Sequence, residues 1–292
     1  MTEIIENNAL ARVQNALGER DYLSPVPHAI ARLWEVIDRP ETTVDHLTQI
    51  VESDPSLTVN LLRIVNSVSF GLRRKLVNVR DAIIYAGLSE LKNLSIALVV
   101  QTGLLLRKPY LTNFDVDLVW RHSVGTGILA RHLARQTRAA KPETAFVTGL
   151  LHNVGWIILD QVIPERVAEI LGDHEDSEEG SGPSEFRHLG FTHADAGAWL
   201  IQQWKLPKIL SNAVQYHHQP HAATTHRKLT TLLYVADTLT AQVVPYIPQF
   251  PPIGDPPEEF WRELDMSPAA GIPAIGLVEK ELEKVMDLLR VT

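Results

Sequence analysis

Histidine side chains recur where a helix should turn an apolar face inward. His122 follows Leu118 by four residues and precedes Leu129 by seven, so the three share one helical face. His193 stands in the same relation to Leu200. A polar side chain among apolar neighbours costs free energy unless it finds a partner. These histidines therefore need hydrogen-bond partners or a bound ion.

Five predicted helices carry such groups. They are His122, His152 with Asn153, His193, the pair His217 and His218, and Asp237. Buried polar groups need hydrogen-bond partners, and in the simplest arrangement they serve as partners for one another. Imidazole with carboxylate is also a ligand set for Zn, Mn, Fe or Co. Periodicity alone leaves two interpretations open: one cluster that is or was a metal site, or separate polar residues scattered through the core.

Helices must position these groups, because no β-alternation is sustained over several strands. We predict an all-α fold, a multi-helix bundle in which residues up to about 108 and residues after about 110 form two helical lobes. The predicted helices cover residues 4–17, 27–37, 43–52, 55–67, 79–86, 90–105, 115–137, 142–159, a short segment that starts at 164, 192–204, 207–217, 227–243 and 276–290.

Capping residues mark several of these helix starts. Thr43, Asn78, Ser89 and Thr192 are predicted N-caps, and Asp54 is predicted to cap a helix that opens with proline. Two stretches should be non-helical. Residues 172–186, GDHEDSEEGSGPSEF, are acidic and rich in Gly and Ser, which predicts a mobile surface loop. Residues 244–257 contain six prolines.

Composition excludes several classes of protein. The 292 residues include no cysteine, so disulfides and thiolate metal sites are excluded. The net charge of −8 argues against non-specific nucleic-acid binding, which needs a basic surface. The N-terminus lacks the basic start and apolar core of a secretory signal, and the longest apolar stretch, residues 94–106, is too short to span a membrane. We expect a cytoplasmic protein.

Two basic segments stand out against this acidic background. The stretch NSVSFGLRRK, residues 66–75, could offer a partner surface through Phe70, Arg73 and Arg74, although a packed aromatic and a solvated loop are the simpler explanation. A second basic face is typical of solvated helix ends. It consists of Arg131, Arg135, Arg138 and Lys141.

The order of the inward polar residues resembles the HD superfamily of metal-dependent phosphohydrolases, and more specifically the HDOD (HD-related output domain) family. The matching stretches are SPVPHAIARLWEVI, SDPSLTVNLLRIVNSVSFGL, WRHSVGTGILARHLA, AFVTGLLHNVGWIIL, HADAGAWLIQQWKLPKILSNAVQYHH and ADTLT. This resemblance implies an HD-type helical bundle with an N-terminal helical lobe and a role in bacterial signalling. It divides the chain into an N-terminal extension (1–23), an HDOD domain (24–240) and a Pro-rich segment with a C-terminal helix (241–292).

The resemblance also implies a metal-ligand role for most of the polar positions. The implied ligands are His122, His152, His193, His217, His218 and Asp237. Asn153 is the departure, because active members have at that position an aspartate that bridges metals. Active HD-GYP phosphodiesterases have Gly-Lys after the His-Asp pair, where this chain has Gly155 and Trp156, and they carry a GYP signature that is absent after His218.

These departures predict a signalling module without catalytic activity, which binds a protein partner or a small ligand such as a nucleotide. No cofactor is expected; if one binds, it should be a divalent metal (Mn, Fe, Zn or Mg). The alternative is a working metal-dependent phosphohydrolase that uses the remaining His/Asp ligands. Because little chain lies outside the matched region, we expect no separate receiver or GGDEF-type domain, and we expect no membrane partner.

Overall fold

The computed structural model describes residues 11–17, 28–37, 39–66, 74–100, 114–173, 181–245 and 254–289. Every regular element within these ranges is a helix, so the prediction of an all-α fold is confirmed. The α-helices are α1 (residues 11–17), α2 (His28–Val36), α3 (Val44–Glu52), α4 (Pro55–Val65), α5 (Val79–Ala86), α6 (Leu88–Val100), α7 (Val116–Thr137), α8 (Pro142–Leu151), α9 (Val154–Val162), α10 (Pro164–Asp173), α11 (Ser181–Leu189), α12 (His193–Gln203), α13 (Lys208–Gln215), α14 (Arg227–Ala241), α15 (Glu258–Glu263), α16 (Pro268–Gly271) and α17 (Ile275–Leu289).

These helices belong to two compact units. One unit comprises residues 23–106 and 284–292, and the other comprises residues 1–22 and 107–283. The first unit contains α2 to α6, whose buried aliphatic residues, such as Leu33, Leu47 and Leu61, form its core. The second unit contains α7 to α16 and every polar residue of the predicted cluster.

The predicted helix starts are largely confirmed. The side chains of Thr43, Asp54 and Asn78 each accept a hydrogen bond from a backbone N–H of the following helix. Thr192 forms a reciprocal capping box with Asp195. Ser89 is the exception, because α6 already begins at Leu88. Gly87, with φ of 84°, ends α5 and the next helix starts at once, which leaves no position for a separate cap.

Two glycines let α7 and α8 approach to backbone contact. A Cβ atom on Gly149 of α8 would lie 2.5 Å from the Cα atom of Gly127 in α7. Gly125 is equally confined, because a Cβ atom there would lie 2.9 Å from Thr240 Cγ2 of α14. These close approaches bring together the three helices that carry His122, His152 and Asp237.

The structure corrects three of the predicted segments. The helix predicted over 142–159 is interrupted, because His152 and Asn153 form a turn between α8 and α9. The loop predicted over 172–186 is wrong at both ends: α10 extends to Asp173, and α11 spans Ser181–Leu189 with its own buried residues. The helix predicted over 207–217 ends at Gln215, so His217 and His218 lie in a turn.

Other predictions fall partly outside the described ranges. These include the first half of helix 4–17, the end of helix 90–105 and most of the proline-rich segment 244–257. Within the part of the chain that the structure describes, no single helix is long and apolar enough to cross a membrane. Two bent pairs of helices meet the length and composition requirements only when the two helices of each pair are taken together.

Candidate functional site

Six of the seven predicted site residues lie in one continuous cluster within the second unit, and the seventh, Asn153, is the buried residue that follows His152 in the chain. His122 comes from α7, His152 and Asn153 from the turn between α8 and α9, His193 from the start of α12, the two adjacent histidines from the turn after α13, and Asp237 from α14. Six of the seven are at most 1% exposed, and His218 alone keeps partial contact with solvent.

Asp237 joins His122 and His152 into what we call the aspartate triad. Its Oδ1 atom lies 2.7 Å from His122 Nε2 and 3.3 Å from His152 Nε2. The two imidazole rings stand 5.3 Å apart between centroids. One potential ligand atom from each residue lies within 4.8 Å of the others, a spacing that a single metal ion can span.

Backbone carbonyl groups orient both histidines of the aspartate triad. His122 Nδ1 lies 2.7 Å from the Val244 carbonyl oxygen, and His152 Nδ1 lies 2.7 Å from the Gly149 carbonyl oxygen. Each Nδ1 must therefore carry a hydrogen to donate, and each Nε2 atom is turned towards the carboxylate. Metal-binding histidines are commonly fixed in this way by their second nitrogen.

This orientation makes the triad a site for a positive charge. With its hydrogen on Nδ1, a neutral His152 presents a lone pair on Nε2, and that atom has no hydrogen-bond partner among the described residues. The lone pair faces a carboxylate oxygen at 3.3 Å, and His122 Nε2 lies 2.7 Å from the same oxygen. A cation between these atoms would be bound by all three acceptors, so the residues present fit a divalent metal.

His193, His217 and His218 form what we call the imidazole triad. His193 Nε2 lies 3.2 Å from His218 Nε2, and the rings of His217 and His218 are 3.9 Å apart between centroids. His217 donates from Nδ1 to the Val214 carbonyl oxygen at 2.6 Å, and its Nε2 atom is buried without a partner among the described residues. The ring of His217 lies 5.2 Å from that of His152, which links the two triads.

Glu185 is a member of the site that the sequence did not indicate. Its carboxylate lies 2.9 Å from His193 Nδ1 and accepts a hydrogen bond from the His193 backbone N–H, and the side chain is fully buried. It belongs to α11, inside the segment predicted to be a loop. An acidic, Gly- and Ser-rich stretch carries no periodic signal of burial, so only the tertiary structure places this carboxylate behind His193.

Burial and mutual repulsion keep most of these histidines neutral. Burial lowers the pKa of His152 and of His217, the latter strongly. The pKa of His218 falls to about 4, first through burial and then through the neighbouring His193. Burial alone would raise the pKa of Asp237, but His152 and His122 together hold it well below its usual range. The carboxylate is therefore ionised, and His152, His217 and His218 are uncharged near neutral pH.

Asn153 and Trp156 occupy two positions where the sequence departs from active enzymes. Both amide atoms of Asn153 are buried and lack a hydrogen-bond partner among the described residues. The indole of Trp156 stacks on the His193 ring, with centroids 5.0 Å apart and planes inclined by 21°. A Cβ atom on Gly155 would collide with the His193 carbonyl oxygen, so only glycine permits this approach of α9 to α12.

The predicted partner surface is only partly described. Phe70 and Arg73 lie outside the described residues, and Arg74 is exposed.

Comparison with known proteins places this architecture in a family. The HDOD domain profile matches residues 23–220, about two thirds of the sequence. The chain belongs to the HDOD family. As an HDOD protein, it is 26% identical over 222 residues to an uncharacterised protein of Treponema pallidum (strain Nichols); the match covers 74% of this chain and 42% of that protein. The chain thus spans less than half the length of that relative.

Solved structures share the fold. A candidate signal transduction protein from Marinobacter aquaeolei VT8 matches 99% of this chain and 66% of its own, with a TM-score of 0.78 and 21% identity. An HDOD domain protein of unknown function from Geobacter sulfurreducens matches over 97% of both chains, with a TM-score of 0.74 and 19% identity. A candidate phosphohydrolase from Shewanella amazonensis SB2B matches over 96% of both, with a TM-score of 0.69 and 26% identity.

Proposed function

We propose that this HDOD protein is a non-catalytic signalling module of the bacterial cytoplasm, which acts by binding a protein partner or a small ligand. The observation that carries the proposal is Asn153, a buried neutral amide with no hydrogen-bond partner among the described residues, which directly follows His152 of a cluster of metal-ligand type. In the enzymes that the sequence resembles, this position holds the carboxylate that bridges two metals.

The charge balance of the cluster supports the proposal. Two divalent cations would bring four positive charges, and Asp237 is the one carboxylate among the seven predicted site residues. Glu185 faces the Nδ1 atom of His193, on the side of the ring away from His218. Uncompensated charge in a buried site is strongly unfavourable. A single cation held by His122, His152 and Asp237 is compatible with this balance, and a metal there would lower the pKa of a bound water.

The close packing around the cluster supports the same conclusion. A phosphoester substrate must reach the ligands, yet His122, His152 and Asp237 are all buried. Trp156, itself fully buried, lies against the His193 ring at the position where active relatives have a lysine. Five buried polar residues, His122, His152, His193, His217 and Asp237, contact one another, which is consistent with a cluster that specifies the packing of the surrounding helices.

The relatives suggest the setting. The Marinobacter structure is described as a candidate signal transduction protein, and HDOD denotes an output domain. We therefore infer that the partner is another signalling protein.

A metal-dependent phosphohydrolase is the second candidate. Two observations favour it: the aspartate triad has the spacing and orientation of a metal site, and the Shewanella protein, 26% identical, is described as a candidate phosphohydrolase. It would use one metal, because Asn153 lacks the charge to bridge two.

Metal analysis combined with a turnover assay separates the two candidates. The protein is purified without chelator, its bound metal is measured, and phosphomonoesters and cyclic dinucleotides are tested with Mn²⁺ or Fe²⁺. We expect no turnover by the wild type and a gain of bound metal in Asn153→Asp. Turnover that disappears in His152→Ala and persists in His132→Gln, a change at a histidine outside the cluster, would establish the hydrolase instead.

A further inference from the structure

A second candidate site lies in the same unit, where α8, α13 and α14 begin. A surface cavity of about 650 Å³ is lined by Lys141 ahead of α8 and by three consecutive residues at the start of α14, His226, Arg227 and Lys228. We propose that this cavity binds a small phosphate-bearing molecule of nucleotide size. It is separate from the histidine cluster, since no member of the cluster lines it.

The cationic lining is a local feature of an acidic protein. The whole chain carries a net charge of −8, yet the residues that line the cavity include three permanent cations and a histidine, and no carboxylate. Charges concentrated in a concave surface focus the potential and attract ions of opposite sign. The lining therefore selects for an anion.

Two of the cations already have carboxylate partners, which differ in strength. Arg227 donates to both oxygen atoms of Glu263, at 2.9 and 3.2 Å, and that carboxylate is only 20% exposed, so this pair holds Arg227 in place. Lys228 contacts Asp265 at 3.2 Å in a pair that is exposed on both sides, and such pairs contribute little stability. A phosphate can draw Lys228 inward because it offers several strong acceptor oxygens at once.

Backbone dipoles add to the potential that the side chains create. Lys141, Pro207 and His226 are the residues that precede α8, α13 and α14, and none of them makes a side-chain capping hydrogen bond. The first N–H groups of α13 and α14 therefore receive no acceptor from these side chains, although Leu210 and Leu229 donate to the carbonyl groups of Pro207 and His226. Phosphate groups are favoured at such helix ends.

The remaining walls define the size and type of ligand. Ala139, Ala140, Ile209 and Leu229 supply apolar surface beside the cations. A cavity of about 650 Å³ is in the range that holds small organic ligands and far exceeds the needs of one inorganic phosphate. A molecule with phosphates at one end and a flat apolar ring at the other matches both parts of the lining.

Such a ligand would supply the input signal to the proposed signalling module, and in this respect the inference rests on the proposed function. The binding experiment does not depend on that function. Calorimetric titration of the full chain in EDTA measures binding at the cavity without metal at the histidine cluster. The probes are inorganic phosphate, pyrophosphate, AMP, ATP and, as a phosphate-free control, adenosine. We expect ATP to bind, AMP to bind more weakly, and both affinities to fall with increasing KCl.

Matched variants locate the binding. In the double variant Lys141→Gln, Lys228→Gln we expect about tenfold or greater loss of ATP affinity, because each lysine would make charge-assisted hydrogen bonds. Lys280→Gln, a change at an exposed lysine of α17, and His218→Ala should leave the affinity unchanged. Thermal melts without ligand show whether each variant is folded.

Several outcomes would overturn the inference. These are no binding of any phosphate compound tighter than about 1 mM, adenosine binding as tightly as AMP, inorganic phosphate binding as tightly as ATP, or equal losses in the double variant and in Lys280→Gln. Loss of binding in a folded His218→Ala protein would assign the ligand to the histidine cluster instead. None of these outcomes depends on whether the protein has phosphohydrolase activity.

Discussion

The two triads of the histidine cluster hold their carboxylates in opposite places. Asp237 lies inside the aspartate triad, where one oxygen atom contacts the Nε2 atoms of both His122 and His152. Glu185 lies behind the imidazole triad, against the Nδ1 atom of His193. A carboxylate on the Nε2 side can share a cation with its histidines, whereas one on the Nδ1 side orients a ring and leaves the opposite nitrogen free for another contact.

This difference determines which triad suits a metal. In the aspartate triad a negative charge offsets part of the charge of a divalent cation. In the imidazole triad, burial and neighbouring rings hold the pKa of His217 and His218 down, and no carboxylate faces their Nε2 atoms among the described residues. We therefore expect the first metal ion, if one binds, at the aspartate triad, and the imidazole triad to contribute mainly to packing.

The largest effect is expected from Asp237→Asn. Removing one partner of a buried charge network typically costs about 3 kcal/mol or more, and the variant should lose that much unfolding free energy in urea denaturation. Metal binding at the aspartate triad should also disappear. Asp265→Asn is the matched control, because that carboxylate is 78% exposed and its loss should cost less than about 1 kcal/mol. Equal losses in the two variants would show that Asp237 is not part of a stabilising buried charge network.

A smaller loss is expected from Glu185→Gln. Glutamine keeps one acceptor oxygen but cannot accept from both the backbone N–H and the ring of His193 as a carboxylate does. We expect about 2 kcal/mol of lost unfolding free energy, with metal binding at the aspartate triad unchanged. Calorimetric melting with and without Mn²⁺ measures both quantities. A loss of metal binding here would mean that the two triads act as one site.

The smallest effect is expected from removing His218, one of the groups that make the cluster sensitive to acid. The folded pKa of His218 is about 4, below its usual value of 6.5, so the unfolded chain takes up the proton first as the pH falls. Stability is thus lost between about pH 6.5 and pH 4, through His218 and, in the same direction, through His152 and His217. Asp237, with its depressed pKa, contributes a loss only at lower pH.

His218→Gln isolates one part of this acid sensitivity. Between pH 7.5 and pH 4.5, the unfolding free energy of the variant should fall by about 1 kcal/mol less than that of the wild type. This difference is smaller than the full pKa shift of His218 would give, because the side chain keeps some solvent contact. Urea denaturation in EDTA at the two pH values gives the difference. An unchanged pH dependence would show that His218 is not held neutral by its neighbours.

The site residues differ in how far local sequence could indicate them. His122, His193 and Asp237 were identified because each repeats the helical period of its apolar neighbours. The break at His152 and Asn153 was missed, because Leu151 and Val154 continue the apolar pattern across it. Glu185 was missed because its partner, His193, lies eight residues away on a different helix.

The sequence by itself determined the all-α class, most helix starts and the inward placement of the polar residues, because capping and periodicity are local properties of a chain. Only the tertiary structure decided how these residues divide into two triads and which nitrogen of His122, His152 and His193 faces a carboxylate. It also decided that Lys141 lines the same cavity as the segment 226–228. Those relations depend on helix crossings at glycines such as Gly127 and Gly149, where two backbones come into contact although they are more than twenty residues apart in the sequence.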